Sequence, residues 1–190
     1  TLAEMLHAQG ASTGAVVSSF VTSRQFGLAQ GFDDFFDDLG NDPSGAARSQ
    51  RPGNETMDLA LDWLRRHSAK PFFLWVHLYD PHTPYRPPPE YMQTARGNAY
   101  AGEVAFADAQ LGRLLKELDL SGAGPRTIVA ALADHGEGLG THGEKEHGFL
   151  LYEEVLHVPF VMSAPGKIAP ATVVAGPASI VDFVPTVLPL

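Results

Sequence analysis

Cysteine is absent from the 190 residues, which excludes a disulfide frame, a thiolate metal site and a cysteine nucleophile within this chain. Basic residues are also scarce. Thirteen Lys and Arg stand against 22 Asp and Glu, for a formal charge of −9. With no Lys/Arg run, neither a nucleic-acid backbone nor an anionic membrane is expected as the main partner. No apolar run approaches the roughly 18 residues of a membrane span, and Thr1-Leu2-Ala3-Glu4 carries no basic region before an apolar stretch. The chain starts on Thr rather than Met, which points to a piece of a longer protein. What is present is enough for a core: 44% of the residues are hydrophobic, and at this length one layered domain is the expectation.

Thr1 and Glu4 fit a capping box, predicting a helix to about Gln9, and Gly14 to Phe20 reads as a small, β-branched strand. From Asp33 to Gly53 the sequence turns polar and reads mostly as loop. Met57, Ala60, Leu61 and Leu64 recur at helical spacing up to Lys70-Pro71. Seven nearly unbroken apolar residues, 72 to 78, suit a strand covered on both faces. A proline-rich stretch, Pro81 to Pro89, must be irregular. Val104, Ala107, Leu111, Leu114, Leu115 and Leu118 mark an amphipathic helix, Thr127 to Ala133 a buried strand, Tyr152 to Leu156 a short helix and Val158 to Met162 a last strand. Helices alternating with buried strands predict a layered α/β fold with a largely parallel central sheet.

Ligands bind beyond the carboxyl ends of such strands, and two exits are unusually polar. One is Tyr79-Asp80-Pro81-His82, the other Asp134-His135-Gly136-Glu137; parallel strands would open both on one sheet edge. Asp134 and His135 pair a carboxylate with an imidazole at a glycine-flanked turn, donors suited to a divalent cation. An isolated Asp-His is more often a turn cap with a surface His. Here, however, His142 and His147 follow among Gly136, Gly138, Gly140, Gly143 and Gly148. His82 sits among restraining prolines, where an imidazole can stabilise an anionic oxygen or protonate a leaving group; the alternative is a turn His bonded to backbone. His77 reads as a core residue, and His7, His67 and His157 as surface or packing residues. Asp33, Asp34, Asp37 and Asp38 lack the alternation of a calcium loop and read as a solvated turn with two packed aromatics. Glu103 and Asp108 read as residues of the outer face or first turns of their helix, and Glu144, Lys145 and Glu146 as a charged loop tip.

Taken in order, the segments FFLWVHLYDPHTPYRPPPEY (72–91), YAGEVAFADAQLGRLLKEL (100–118), ALADHGEGLGTHGEKEHGFLLYEEVLHVPFVMSAPG (131–166) and SIVDFVPTVL (179–188) resemble the sulfatase catalytic domain of the alkaline phosphatase superfamily. TLAEMLHAQGASTGAVVSSF (1–20) and FGLAQGFDDFFDD (26–38) resemble the stretch after that family's nucleophile. The resemblance implies an alkaline phosphatase-like α/β/α fold, with residues 1–190 a partial catalytic domain that lacks the nucleophile segment and the small C-terminal subdomain. It further implies that Asp134 and His135 bind one divalent metal, Ca²⁺ first with Mn²⁺ or Zn²⁺ as alternatives, that His82 and His147 are catalytic, and that His142 lies close to the substrate. His135 stands where calcium sulfatases often have Asn, as in phosphonate and phosphate ester hydrolases of the superfamily. The implied activity is hydrolysis of small-molecule or glycan sulfate esters, in a periplasmic or extracellular setting. The alternatives are a phosphodiester or phosphonate ester hydrolase, a phosphoryl-headgroup transferase, and a non-catalytic binding domain that keeps the fold.

Overall fold

The first helix shows how closely local chemistry sets an element boundary here. In the structure, a computed structural model describing residues 1–190, α1 spans Leu2–Ala8. The Thr1 hydroxyl accepts the Glu4 amide and the Glu4 carboxylate reaches back to the Thr1 amine, so the capping box is complete. Gly10 then takes a left-handed φ of 87°, open to it at no steric cost, and the chain enters β1, Ser12–Val16.

The chain divides into two compact units, Thr1–Ala123 and Gly124–Leu190. In the first, β1 is the centre of a three-stranded parallel sheet, with β2 (Asp34–Phe36) on one side and β3 (Phe72–Val76) on the other. Register runs Gly14↔Asp34 and Val16↔Phe36 on one flank, Ser12↔Phe72 and Val16↔Val76 on the other. Strand β2 lies where the sequence reads as loop. Its acidic residues are edge pins rather than solvated groups: Asp33 accepts the Thr13 amide at 2.9 Å, and Asp34 accepts the Trp63 indole N–H at 2.8 Å. Asp37 receives the Arg24 guanidinium.

Helix α2, Gly53–His67, packs Met57, Ala60 and Leu61 against Val16 of β1, with Leu74 and Val76 of β3 beside them. Each buried Met, Leu or Val side chain contributes roughly 1.5–3 kcal/mol of transfer free energy, and Ala60 less. Close approach of α2 to the sheet depends on Gly14, where an added Cβ would lie 2.4 Å from the Trp63 ring. A short helix, α3 (Pro89–Thr94), follows the proline stretch with Pro at its first position, where a missing N–H costs nothing. Helix α4, Ala99–Leu120, then packs on α2 and α3. Its buried stripe is Gly102, Glu103, Phe106, Gln110 and Leu118; Val104 and Leu115, apolar positions of the sequence pattern, are exposed.

In the second unit, β4 (Val129–Leu132) pairs antiparallel with β5 (Phe160–Ser163), in register Val129↔Ser163 to Leu132↔Phe160. The expectation that β4 shares a parallel sheet with β3 is therefore corrected: β4 and β5 form their own two-stranded ladder. Two short helices complete the unit, α5 (Glu153–Leu156) and α6 (Phe183–Val187).

Candidate active site

Because β1, β2 and β3 are parallel, their carboxyl ends share one edge of the first unit, and that edge is rich in polar contacts. Ser18, fully buried just past β1, donates its hydroxyl to the His77 carbonyl at 2.7 Å and also lies 3.2 Å from His77 Nδ1. Arg51 donates its amide to the Ser18 carbonyl at 2.7 Å and its guanidinium to the Asp38 carbonyl. His77 is thus tied to β1 by its backbone and ring.

His82 lies on the same edge, in the loop after β3. Its Nδ1 is 2.7 Å from the Thr83 carbonyl. A carbonyl only accepts, so Nδ1 carries the proton and Nε2 is left as the acid-base atom. That Nε2 faces the Tyr79 hydroxyl at 3.0 Å, with the two rings stacked at 4.1 Å between centroids. Burial pushes the Tyr79 phenol up, against a hydrogen bond from Ser19, so Tyr79 stays a hydroxyl and serves Nε2 as donor.

Two carboxylates stand behind this loop. Glu103, only 4% exposed, accepts the His82 amide at 3.1 Å and the Arg86 amide at 2.5 Å. It lies in the early turns of α4 but not on the outer face, because the buried stripe of the helix runs through position 103. Asp80 accepts the Gly53 amide at the start of α2, an N-terminus where negative charge is favoured. Burial pushes both carboxyls above the ordinary carboxylate range, and for Glu103 the nearby Asp80 charge adds to it.

Both groups therefore bind protons more tightly in the folded chain than in the unfolded one. Their stability contribution is full below the ordinary carboxylate range and is lost as pH rises through the raised folded values. In urea titrations of the full-length protein from neutral pH down to the ordinary carboxylate range, wild type should gain on Asp80→Asn as the pH falls. A difference that stays constant across that range would contradict burial as the cause.

The second unit carries the other candidates. Asp134 follows β4 with its side chain 81% exposed, Oδ1 lying 3.8 Å from His135 Nε2. His135 Nδ1 is 2.9 Å from the Gly136 carbonyl. That contact puts the proton on Nδ1 and leaves the Nε2 lone pair on the side of Asp134. His147 lies against His135 with ring centroids 3.9 Å apart and planes tilted by 32°, and its Nδ1 donates to Glu137 Oε1 at 3.0 Å. Glu137 is a buried residue, its side chain 5% exposed. Asp134, His135 and His147 line one cleft of about 460 Å³, whose remaining wall includes Leu151, Val155 and Ile180.

The turn bearing these groups is fixed through its backbone. Gly136 donates to the Val155 carbonyl at 2.7 Å and Glu137 to the Glu154 carbonyl at 3.2 Å. A Cβ on Gly136 would meet the Glu154 carbonyl oxygen at 2.0 Å, so only glycine fits. His142 is not in the cleft. It sits at a left-handed φ of 55°, stacked on Tyr152 at 3.8 Å and 3.9 Å from Glu154. Glu144 is buried rather than a charged tip; its Oε1 accepts the Phe149 amide at 2.9 Å and organises the turn after His147.

Among the remaining histidines, His67 stacks on Trp63 and bonds to its carbonyl, a packing residue as expected. His7 has a partner after all, Asp33 at 3.1 Å. The residues that sequence reasoning passed over are Tyr79, Glu103 and Glu137. Each is a neighbour that orients a candidate histidine, and only a helical stripe running through position 103 could have exposed one of them.

A family model described as Sulfatase matches residues 1–190. The chain belongs to the sulfatase family. Among curated sulfatases, the steryl-sulfatase of Mus musculus is 33% identical over 159 residues, covering 74% of this chain and 26% of the relative. The iduronate 2-sulfatase of Homo sapiens is 37% identical over 86 residues, covering 45% of this chain and 16% of the relative. This sulfatase chain spans about a quarter of the length of the steryl-sulfatases it matches. A solved phosphonate monoester hydrolase of Silicibacter pomeroyi superposes with a TM-score of 0.75 at 17% identity, covering 100% of this chain and 57% of that one. At such identity the likeness concerns the fold, and it supports the α/β reading.

Proposed function

We propose that the protein containing this chain hydrolyses sulfate esters with the help of one divalent metal ion. Family membership along all 190 residues supports the reaction class. The observation that carries the site is the pairing of the exposed Asp134 carboxylate with a His135 ring whose Nδ1 is already engaged. Carboxylate and imidazole donors fit a divalent cation; carboxylate oxygen suits Ca²⁺, the first candidate, while an imidazole donor suits Mn²⁺ or Zn²⁺. No group of three or more His, Asp or Glu side chains converges within this chain, so Asp134 and His135 would supply part of a coordination shell.

A metal bound there would act as a Lewis acid on the ester oxygens. Water or a nucleophile outside the residues assigned here forms the new bond to sulfur as the ester S–O bond breaks, and this chain's own residues serve the charged group and the leaving oxygen. His147, oriented by Glu137 through Nδ1, presents Nε2 to an anionic headgroup in the cleft and, when protonated, neutralises charge there. His82, with Nδ1 held by Thr83, protonates the departing alcohol from Nε2 when its ring is in the imidazolium form, and is left as the neutral Nδ1–H tautomer once that proton has gone. His142 is assigned to the periphery of the substrate site. Sulfated steroids, aryl sulfates and sulfated sugars are the substrate classes suggested by the relatives' names.

The test is a panel of aryl sulfate, phosphate and phosphonate monoesters on the full-length protein after metal stripping and reconstitution with Ca²⁺, Mn²⁺ or Zn²⁺. Sulfate turnover should vanish with the metal and return with one of the three. Asp134→Ala should weaken metal affinity by at least about a hundredfold, read by metal titration as well as by rate. Preference for the phosphonate ester would shift the reading to that activity. Metal-independent binding of sulfated ligands without turnover would point to a non-catalytic domain.

A further inference from the structure

We propose that Glu103 is a positioning residue for His82, its carboxylate clamping the 82–86 loop onto α4 so that the imidazole keeps one orientation. The inference rests on the reading of His82 as the proton donor.

Glu103 reaches the loop from the interior of a 22-residue helix, between the buried positions Gly102 and Phe106, so its backbone cannot follow the loop. Both of its oxygens are committed, Oε2 to the amide of His82 and Oε1 to the amide of Arg86. Those amides bracket Thr83, whose carbonyl fixes the His82 tautomer. A single carboxylate therefore sets the backbone entering and leaving the element that decides which ring nitrogen is protonated.

Packing adds a second constraint on the same side. A Cβ at Gly102 would meet Pro87 at 2.8 Å, so the loop's exit lies directly against α4. No Lys or Arg side chain contacts the Glu103 carboxylate through a salt bridge or side-chain hydrogen bond; its bonds in hand are backbone amides. A surface ion pair does not explain a carboxylate buried this way, because burying charge costs free energy unless the hydrogen bonds formed are worth keeping. The geometry points to those amides as the reason for Glu at this position.

Glu103→Gln keeps the length but offers one acceptor and turns an N–H₂ toward the other amide. In the full-length protein, kcat on an aryl sulfate should fall about tenfold with KM within about twofold, the pattern of a misplaced reacting group. On an His82→Ala background the same substitution should change kcat by less than about twofold, since its effect runs through the histidine. Glu103→Asp, which keeps the charge one methylene short of the loop, should lose at least as much as Gln; unimpaired turnover in Asp would assign the effect to charge alone and overturn the proposal. So would equal losses from Glu103→Gln with and without His82, or turnover in Glu103→Gln matching wild type. A spectroscopic arm separates this from the proposed reaction. ¹⁵N resonances of the His82 ring should report the Nδ1–H tautomer in wild type and a mixed population in Glu103→Gln, whatever esters the protein cleaves. An unchanged ring spectrum would sink the positioning role, whereas absence of turnover in wild type would sink the reaction alone.

Discussion

Replacing His82 by Ala in the full-length protein is expected to lower kcat on sulfate esters by about 10² to 10³, the loss seen when one preorganised donor is removed from a reacting oxygen. In the proposed reaction the donor acts on charge that develops as the alcohol departs, so the loss should fall on kcat. Stability should change little. The ring is partly exposed and bonds to Tyr79 and Thr83 at the end of a loop, interactions worth about 1 kcal/mol net. Steady-state rates paired with thermal melts check this: a variant as active as wild type removes His82 from the mechanism, and one that melts far earlier makes it a structural residue.

Trp63→Ala should be the costliest substitution for stability, at about 3–5 kcal/mol. The indole is 0% exposed, stacks on His67 at 4.2 Å and meets Phe72 edge-on at 6.3 Å. Its N–H is also the donor to Asp34. Alanine would leave both a cavity against the bare face of Gly14 and an unpaired carboxylate at the β2 edge, and the second cost adds to the first. Urea unfolding of wild type, Trp63→Ala and Trp63→Phe separates the two, since Phe refills most of the cavity and still orphans Asp34. A loss below about 1 kcal/mol in the Ala variant would show that α2 is not the buttress of this sheet.

Much of the fold was legible because α1, α2, α4, β3, β4 and β5 each carry a periodic or unbroken apolar signal; of β1 only residues 14–16 were legible, since the strand opens on Ser12-Thr13 and ends before the 3-10 turn at Phe20. Strand β2 was not, for an identifiable reason. Three residues, Asp34-Phe35-Phe36, are too few to show a period, and acids that flank aromatics look like a solvated turn until their partners Thr13 and Trp63 are brought in from 20 and 29 residues away. The pairing of β4 was hidden as well, since an apolar run gives a strand but no neighbour. At the site, glycines and histidines near strand exits marked Asp134, His135 and His147, which the fold gathers in one cleft. Glu103 escaped because an acid in an amphipathic helix is ordinarily solvent-facing, and its two partners are backbone amides that no side-chain pattern announces.

The turn at Gly136 has a consequence for which substitutions this chain can accept. Its anchor is a pair of main-chain carbonyls on α5, those of Glu154 and Val155, so a change of the Glu154 side chain would leave that anchor standing and touch only the contact with His142. Position 136 has no such latitude: any side chain would strike α5 and lever the neighbouring imidazole off its seat. Tolerance and intolerance to change thus face each other across a single contact.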